Sequence, residues 1–356
     1  MADQNKAAVF YGPQDIRIEY RDMPVLEQGE VLIKSTDVCI CATEVKYWYY
    51  GMPRVPKGTK IIQGHELAGI VEDVGSGVKN KSIVGAKVAV DPSLWCGVCD
   101  MCKAGMSNLC RKLQFMSLPP VDGGNQQFYK VPERNVHRVP KGVPSEWCSM
   151  AEPVNVGINA ISDAERIVGS LSGKNIAIVG AGPQGVFLMQ TAKAMSTPAH
   201  ICVIEPLEYR REIAKEMGAN EIIDPAEGDA RDRVMDMTNG GGMDIAFEVA
   251  GEAESYQLAS TLVKPGGTVV IVGIPSDQEH IPIQAITARR SGLTLKFVRR
   301  FNPKDFPRAL DMIASGQVQV ASLIRHRFPL DEMTPAYKML HEYADGSFKT
   351  IIHPHA

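Results

Sequence analysis

Hydrophobic positions in the first 140 residues come in short runs, such as Val31-Leu32-Ile33, Ile70-Val71 and Val88-Ala89-Val90, each cut off by Gly, Pro, Asp or Asn. That punctuation predicts a β-rich region. Its clearest turns are Gly75-Ser76-Gly77 and Pro119-Pro120-Val121-Asp122-Gly123-Gly124. Near Ala164 the pattern changes. Ile176-Ala177-Ile178-Val179 is an unbroken apolar strand, followed by glycines and then by helical spacing over 186–192. Further strands are expected at 201–204, 221–223, 244–248, 268–272 and 293–297, with helix-like segments between most of them. Strands that are apolar throughout and joined by crossover helices make a parallel sheet covered on both faces. From about Phe301 the chain returns to a helix over 305–314, short strands, and a final helix beginning near Thr334.

Composition narrows the function classes. Lys and Arg total 38 against 41 Asp and Glu, a net charge of -3, so there is no basic field to draw the chain onto nucleic acid or an anionic membrane. Hydrophobic residues at 44% and charged residues at 22% are ordinary globular usage. No apolar run approaches a membrane span. The opening Met1-Ala2-Asp3-Gln4-Asn5-Lys6 has an acid where a secretory leader is basic. A cytoplasmic protein is expected, and in a reducing compartment its 8 cysteines are read as thiols or metal ligands rather than disulfides.

Gly180-Ala181-Gly182-Pro183-Gln184-Gly185 fits G-x-G-x-x-G between a predicted strand and a predicted helix. The first glycine permits a tight turn, the second lets a pyrophosphate approach the backbone, and the third lets helix pack on strand. Glu205 ends the next strand, 20 residues after Gly185, where a carboxylate accepts from an adenosine ribose and repels a 2′-phosphate. NAD is favoured over NADP. Arg210, five residues on, could bind a phosphate or lie along the ribose.

Cys96-x-x-Cys99-x-x-Cys102 followed by Cys110 supplies four thiolates within 15 residues. Four sulfurs close the zinc tetrahedron, so this is a structural site. A second, dispersed set comprises Cys41, Gly64-His65-Glu66 and Glu152-Pro153. A thiolate, an imidazole and one or two carboxylates leave a coordination position open, which implies catalysis on a water or alcohol oxygen.

These residues resemble the zinc-containing medium-chain alcohol dehydrogenases, in particular the sorbitol (polyol) dehydrogenase branch. Cys39-Ile40-Cys41-Ala42-Thr43-Glu44-Val45-Lys46-Tyr47-Trp48 is similar to the family's G-I-C-G-[ST]-D-V-H-Y-W. Gly64-His65-Glu66, the four-cysteine lobe, the 119–130 segment, Glu152-Pro153-Val154-Asn155-Val156-Gly157 and His326-Arg327-Phe328-Pro329-Leu330 follow in family order. The resemblance runs over nearly the whole chain. It implies an α/β protein in which a Rossmann doubly wound parallel sheet, residues 156–297, is inserted into a GroES-like β-rich catalytic domain, residues 1–155 completed by 298–356, with the active site in the cleft.

By that resemblance, Cys41 and His65 carry zinc, with Glu66 as third ligand and Glu152 binding directly or holding the metal-bound water. Thr43 passes on the substrate proton, a task for which a hydroxyl, both donor and acceptor, is suited. Tyr47, Phe115 and Arg300 fall at substrate-pocket positions, and Val272-Gly273-Ile274 at the strand end whose backbone meets the nicotinamide. Lys46 stands where the family has a histidine that extends the proton relay, Cys39 and Ala42 replace glycines, and Arg299-Arg300 doubles a single arginine. The implied activity is zinc-dependent, NAD-linked oxidation of a secondary alcohol on a polyol or sugar-derived substrate, by a homodimer or homotetramer. The alternatives are another alcohol class, such as threonine, a simple alcohol or a sugar phosphate, or a noncatalytic zinc- and NAD-binding protein.

Overall fold

The computed structural model describes residues 4–53, 55–275, 280–281 and 283–356. Met1-Ala2-Asp3, part of the opening stretch read for a leader, lie outside them. The chain divides into two compact units: residues 1–152 with 302–316 and 320–356, and residues 153–301 with 317–319.

The first unit is built on antiparallel pairing. Its seven-stranded sheet runs Val136–Arg138, Lys87–Val90, Glu66–Val74, Glu30–Cys39, Lys349–His353, Ile324–Pro329, with Phe128–Pro132 also paired to Glu30–Cys39. The last two strands of the chain are parallel to each other, and the final one joins the early strand in antiparallel register, Ile351 opposite Cys39 and Ile352 opposite Val38. Early and late segments of the chain therefore belong to one sheet. Its apolar face supplies Val31, Ile33, Val38, Leu67, Val71, Val88, Val90, Tyr129 and Ile352 to a core shared with Trp48 and Tyr337.

The second unit holds six parallel strands in the order Glu221–Ile223, His200–Ile204, Asn175–Val179, Met243–Glu248, Val263–Ile271, Thr294–Phe297. In chain order this is 3-2-1-4-5-6, the doubly wound arrangement. Alternation along each strand feeds two cores. Ile176 and Ile178 pack with Leu188, Ile201 and Phe247 on one face, and Ala177 and Val179 pack with Cys202, Ile204 and Leu262 on the other. Two buried faces explain why these strands read as uninterrupted apolar runs.

Two helices depart from the sequence reading. Ala42–Tyr50 lies within the stretch read as β-rich, and Ala151–Val168, 18 residues long, begins well before the change of pattern placed near Ala164. Both are rich in β-branched or aromatic residues, and Val154-Asn155-Val156-Gly157-Ile158 alternates as a strand would. Tertiary packing overrides that propensity. Gly157 is the clearest case, since a Cβ there would stand 2.9 Å from Thr191 Oγ1 and 3.4 Å from Leu188 Cα. Pro153 sits in the first turn, where its missing N–H costs nothing. Because this helix packs inside the second unit, the division falls at 152/153 rather than 155/156. At the far end it falls at 301/302 rather than 297/298, since Phe301 is buried and Asn159 Nδ2 donates to Arg300 O (3.1 Å).

His137, on the edge strand of the first unit, stacks on Phe306 with ring centroids 4.8 Å apart. Burial pulls its imidazole down to about 4. The folded state thus keeps His137 neutral while the unfolded chain binds a proton below about pH 6.5. The unfolded state then holds more protons, so stability is complete above pH 6.5 and falls as pH drops toward 4, by up to about 3 kcal/mol. Urea unfolding of His137→Gln is expected to show a shallower loss of stability between pH 6.5 and 4.5 than the parent protein. An unchanged slope rejects this account.

Candidate active site

Cys41 occupies the N-cap of the helix Ala42–Tyr50 in an extended conformation (φ -87°, ψ 141°) and makes no side-chain capping bond. Its sulfur is left for another role. His65 and Glu66 arrive from the adjacent strand, where Glu66 opens Glu66–Val74 opposite Cys39. The donor atoms of Cys41, His65 and Glu66 all lie within 4.8 Å of one another. Gly64, at φ +102°, makes the approach possible: a Cβ would stand 2.8 Å from Asn125 N and 2.9 Å from Val38 Cγ1. Three mixed donors within a sphere of that size fit a tetrahedral zinc with one position open.

The residues behind the donors are as specific as the donors. Glu44, 1% exposed, receives three bonds on Oε1: from His65 Nδ1 (2.6 Å), from Gly64 N (2.8 Å) and from Ser117 Oγ (2.9 Å). With Nδ1 committed to a carboxylate, His65 presents Nε2 to a metal. Burial pulls the His65 imidazole down, but the Glu44 carboxylate and the Cys41 thiolate outweigh it and hold the ring well above its ordinary value. Glu44 is lowered despite burial, chiefly by His65. On the other side, Lys349 Nζ meets Glu66 Oε2 at 2.6 Å, both side chains at most 3% exposed, and donates to Ile40 O (3.1 Å). Burial opposes the Lys349 charge, while Cys39, Glu66 and Cys41 sustain it.

Glu44, Ser117 and Lys349 were not singled out from the sequence. Glu44 had a signal, since it stands at the aspartate of the motif quoted for Cys41. Lys349 had a weaker one, a lone cation in the run Phe348-Lys349-Thr350-Ile351-Ile352.

Of the other candidates, Phe115 is buried with its ring centroid 5.5 Å from that of His65, which puts it beside the metal donors. Thr43, Lys46 and Tyr47 lie on one helix, Thr43 and Tyr47 a full turn apart on one side. Glu152, 6% exposed, lies in the first turn of Ala151–Val168 and is not among the grouped donors. Arg300 belongs to the second unit and has φ +50°, a left-handed conformation uncommon for a side-chain-bearing residue.

The sulfurs of Cys96, Cys99, Cys102 and Cys110 form a second grouping, with 3.5 Å between Cys99 and Cys102, 3.9 Å between Cys99 and Cys110, and 4.0 Å between Cys96 and Cys102. Zinc–sulfur bonds of about 2.3 Å give a tetrahedral edge of about 3.8 Å, so the spacing fits a zinc held by four thiolates. Backbone N–H groups at Cys102 and Arg111 draw the Cys99 thiol down to about 6, and burial pushes Cys102 up to about 11. The lobe is braced by Arg111 on Asp100 (2.7 Å for each of two bonds), by Arg134 over the Trp95 ring (4.6 Å) and by Asn302 Nδ2 on Gly105 O (2.6 Å).

A third grouping, Asp37, Glu146 and His353, is already compensated. Arg327 makes two bonds to Glu146 (3.0 and 2.9 Å), and the hydroxyls of Thr36 and Ser145 both donate to Asp37 Oδ2 (2.7 Å each). It ties the two C-terminal strands to Glu30–Cys39.

In the second unit, Gly180 has φ +104° and its N–H donates to Ile204 O (2.9 Å). Gly182 caps the helix Pro183–Met195, and the space its Cβ would take holds only Arg210 Nη1, 3.6 Å away. At Gly185 a Cβ would collide with the Gly180 carbonyl. This cradle fits a pyrophosphate on the helix N-terminus. Pro183 is in the first turn of that helix and Gln184 Nε2 donates to Pro153 O (3.2 Å). Glu205 is 3% exposed and accepts from Ala181 N (2.7 Å) and Leu207 N (3.0 Å), one bond on each oxygen, which leaves a further lone pair on each. Arg210 lies over Tyr209, and Val272 N and Gly273 N both donate to Glu248 O (2.9 and 3.0 Å). Ile274 is 55% exposed.

A doubly wound sheet with a glycine cradle, together with a β-rich unit that carries an open metal set and a four-sulfur lobe, defines a zinc- and dinucleotide-linked dehydrogenase architecture. Residues 27–141 match the alcohol dehydrogenase GroES-like domain and residues 183–315 the zinc-binding dehydrogenase domain. The chain is 34% identical over 351 residues to the sorbitol dehydrogenase of Bacillus subtilis (strain 168), covering 98% of this chain and 97% of that one. It is similar in structure to an oxidoreductase/dehydrogenase of unknown specificity involved in membrane biogenesis from Escherichia coli, with TM-score 0.89, 30% identity, and coverage of 98% and 99%. It is also similar to the 2R,3R-butanediol dehydrogenase of Bacillus subtilis, with TM-score 0.87, 27% identity, and coverage of 98% and 99%. The chain belongs to the zinc-binding alcohol dehydrogenase family. Among the described residues no helix is long and apolar enough to cross a membrane.

Glu44→Gln keeps the shape and removes the charge that orients His65. Zinc affinity of the three-donor site is expected to fall by about 10- to 100-fold while the four-sulfur site stays loaded, as read by metal analysis after graded chelation. Equal loss from both sites, or from neither, rejects the assignment. Cys102→Ser is expected to empty the lobe and lower the thermal midpoint while leaving the three-donor site able to bind metal.

Proposed function

We propose that this protein is a zinc-dependent polyol dehydrogenase that oxidises a secondary alcohol of a polyol or sugar-derived substrate to the ketone with NAD. The observation that carries the reading is the three-donor set Cys41, His65 and Glu66, with His65 already oriented by Glu44 and the helix bearing Thr43 starting at the donor cysteine. Such a set suits Lewis-acid catalysis and has no use in a purely structural protein. The 34% identity to a sorbitol dehydrogenase supports the substrate class.

Cys41 Sγ, His65 Nε2 and Glu66 would hold the zinc. Glu152 serves the open side, hydrogen-bonding to water or a neighbouring substrate hydroxyl. When bound, the metal supplies polarisation of the alcohol oxygen and the dinucleotide supplies the hydride acceptor. The Thr43 hydroxyl accepts the alcohol proton and gives up its own, and Lys46, one turn on, stands on the path to solvent. Phe115 and Tyr47 wall the substrate, and Arg300 binds its hydroxyls. Gly180, Gly182 and Gly185 admit the pyrophosphate, Glu205 takes the adenosine ribose with Arg210 alongside, and Val272, Gly273 and Ile274 receive the nicotinamide. Placement of a carboxylate at Glu205 favours NAD over NADP. The protein is read as a cytoplasmic homo-oligomer, a dimer or tetramer.

Zinc-loaded protein with NAD and a panel of polyols is expected to generate reduced-nicotinamide absorbance with at least one of them, and silence across the panel at full metal loading rejects the substrate class. Thr43→Val is expected to lower kcat by about 100-fold or more with little change in coenzyme affinity. Retention of full turnover rejects its role.

A further inference from the structure

Six residues other than glycine among those described have a left-handed φ, and Ser117, at φ +77°, is the one that is buried, 2% exposed. Its neighbours hold it there. Met116 N donates to Pro92 O (3.0 Å), Leu118 N to Phe115 O (3.2 Å) and Val121 N to Leu118 O (2.8 Å). Phe115 also pairs with Ser93 across the short strands Ser93–Leu94 and Gln114–Phe115. Ser117 is thus the third residue of the turn 115–118, and a positive φ at that position calls for glycine or asparagine. A serine there costs stability that a glycine would not.

What the serine adds is one hydroxyl. Its Oγ donates to Glu44 Oε1 (2.9 Å), the oxygen that also accepts from His65 Nδ1 (2.6 Å) and Gly64 N (2.8 Å). Gly64 and His65 are adjoining residues of one segment, and His65 carries the ring to be oriented. Ser117 comes from a different segment, so its bond fixes the Glu44 side chain independently of the imidazole that Glu44 serves. A hydrogen-bonded group behind a metal-binding histidine sets the orientation of the ring and the affinity of the site. The same turn begins at Phe115, whose ring centroid lies 5.5 Å from that of His65, so the strained residue and the metal donors share one locality.

We propose that Ser117 is a positioning residue for the three-donor metal site: the chain keeps a serine in a glycine conformation because its hydroxyl anchors Glu44 and, through Glu44, His65. Stability and metal affinity are then opposed at this one position. The proposal rests on the reading that Cys41, His65 and Glu66 hold the zinc.

The test is metal binding and melting rather than turnover. Zinc affinities of both sites are measured by metal analysis after graded chelation of the full-length parent, Ser117→Gly and Ser117→Ala. Thermal midpoints are taken with only the four-sulfur site loaded, so that zinc binding at the other site does not enter. Both variants lack the hydroxyl, and only the alanine keeps the strained backbone. Each is expected to bind zinc about tenfold more weakly at the three-donor site, with the four-sulfur site unchanged. Ser117→Gly is expected to melt about 2 °C above Ser117→Ala. A three-donor affinity within about twofold of the parent in either variant overturns the proposal. So does a loss confined to Ser117→Ala, because a residue that merely supports the fold lets affinity follow stability. A Ser117→Gly midpoint no higher than that of Ser117→Ala overturns it as well, since the serine would then carry no cost for its hydroxyl to offset. Should Ser117→Ala not fold, the three-donor affinity of Ser117→Gly decides alone, a loss of about tenfold upholding the proposal and one of about twofold or less rejecting it. If the parent holds no zinc at the three-donor site while the four-sulfur site is loaded, the reading of the site itself fails, and that result is distinct from an unmoved affinity.

Discussion

The catalytic unit depends on one buried carboxylate. Glu44 gathers a backbone N–H from Gly64, the Nδ1 of His65 and the hydroxyl of Ser117 on a single oxygen. Those three groups come from the segments before Glu66–Val74 and after Gln114–Phe115, so the bond set holds a helix, a strand entry and a loop to one point. Burying an anion is costly unless it is paired and hydrogen-bonded. Here the cost is offset by a charge-assisted bond and two neutral ones, and the result is an imidazole with a defined free nitrogen. Without Glu44 the donor set would still be present in composition but not in orientation.

Closure of the sheet by the C-terminal strand adds the second constraint. Lys349 arrives beside Glu66 because Ile351 pairs with Cys39, so segments about 310 positions apart in the chain meet in one sheet. The buried ammonium holds Glu66 Oε2. The Asp37–Glu146–His353–Arg327 cluster pins the same strands further along. In the nucleotide-binding unit Glu248 plays a comparable part, tying Gly251 and the 272–274 backbone together. In both units a buried side chain one layer behind the candidate site residues ties their segments together.

Much of this was legible in the residue pattern. The six parallel strands were readable because burial on both faces leaves no polar alternation, and the glycine cradle because only residues lacking a Cβ tolerate the contacts at Gly180 and Gly185. The four-cysteine lobe was readable because its donors are close in sequence. The helices Ala42–Tyr50 and Ala151–Val168 were not, because their β-branched and aromatic residues carry strand propensity that only packing outweighs. Glu44 and Lys349 were missed because acids and lysines are common, and nothing local marks the ones that become buried.

The sequence by itself therefore determined the parallel strands, the cradle and the four-sulfur site, since each follows from two-sided burial, from local sterics or from donors a few residues apart. Only the tertiary structure decided which carboxylate stands with Cys41 and His65, which nitrogen of His65 is free, and which charges lie behind them. Those answers depend on strand register and burial, and both are set by pairing between segments far apart in the chain.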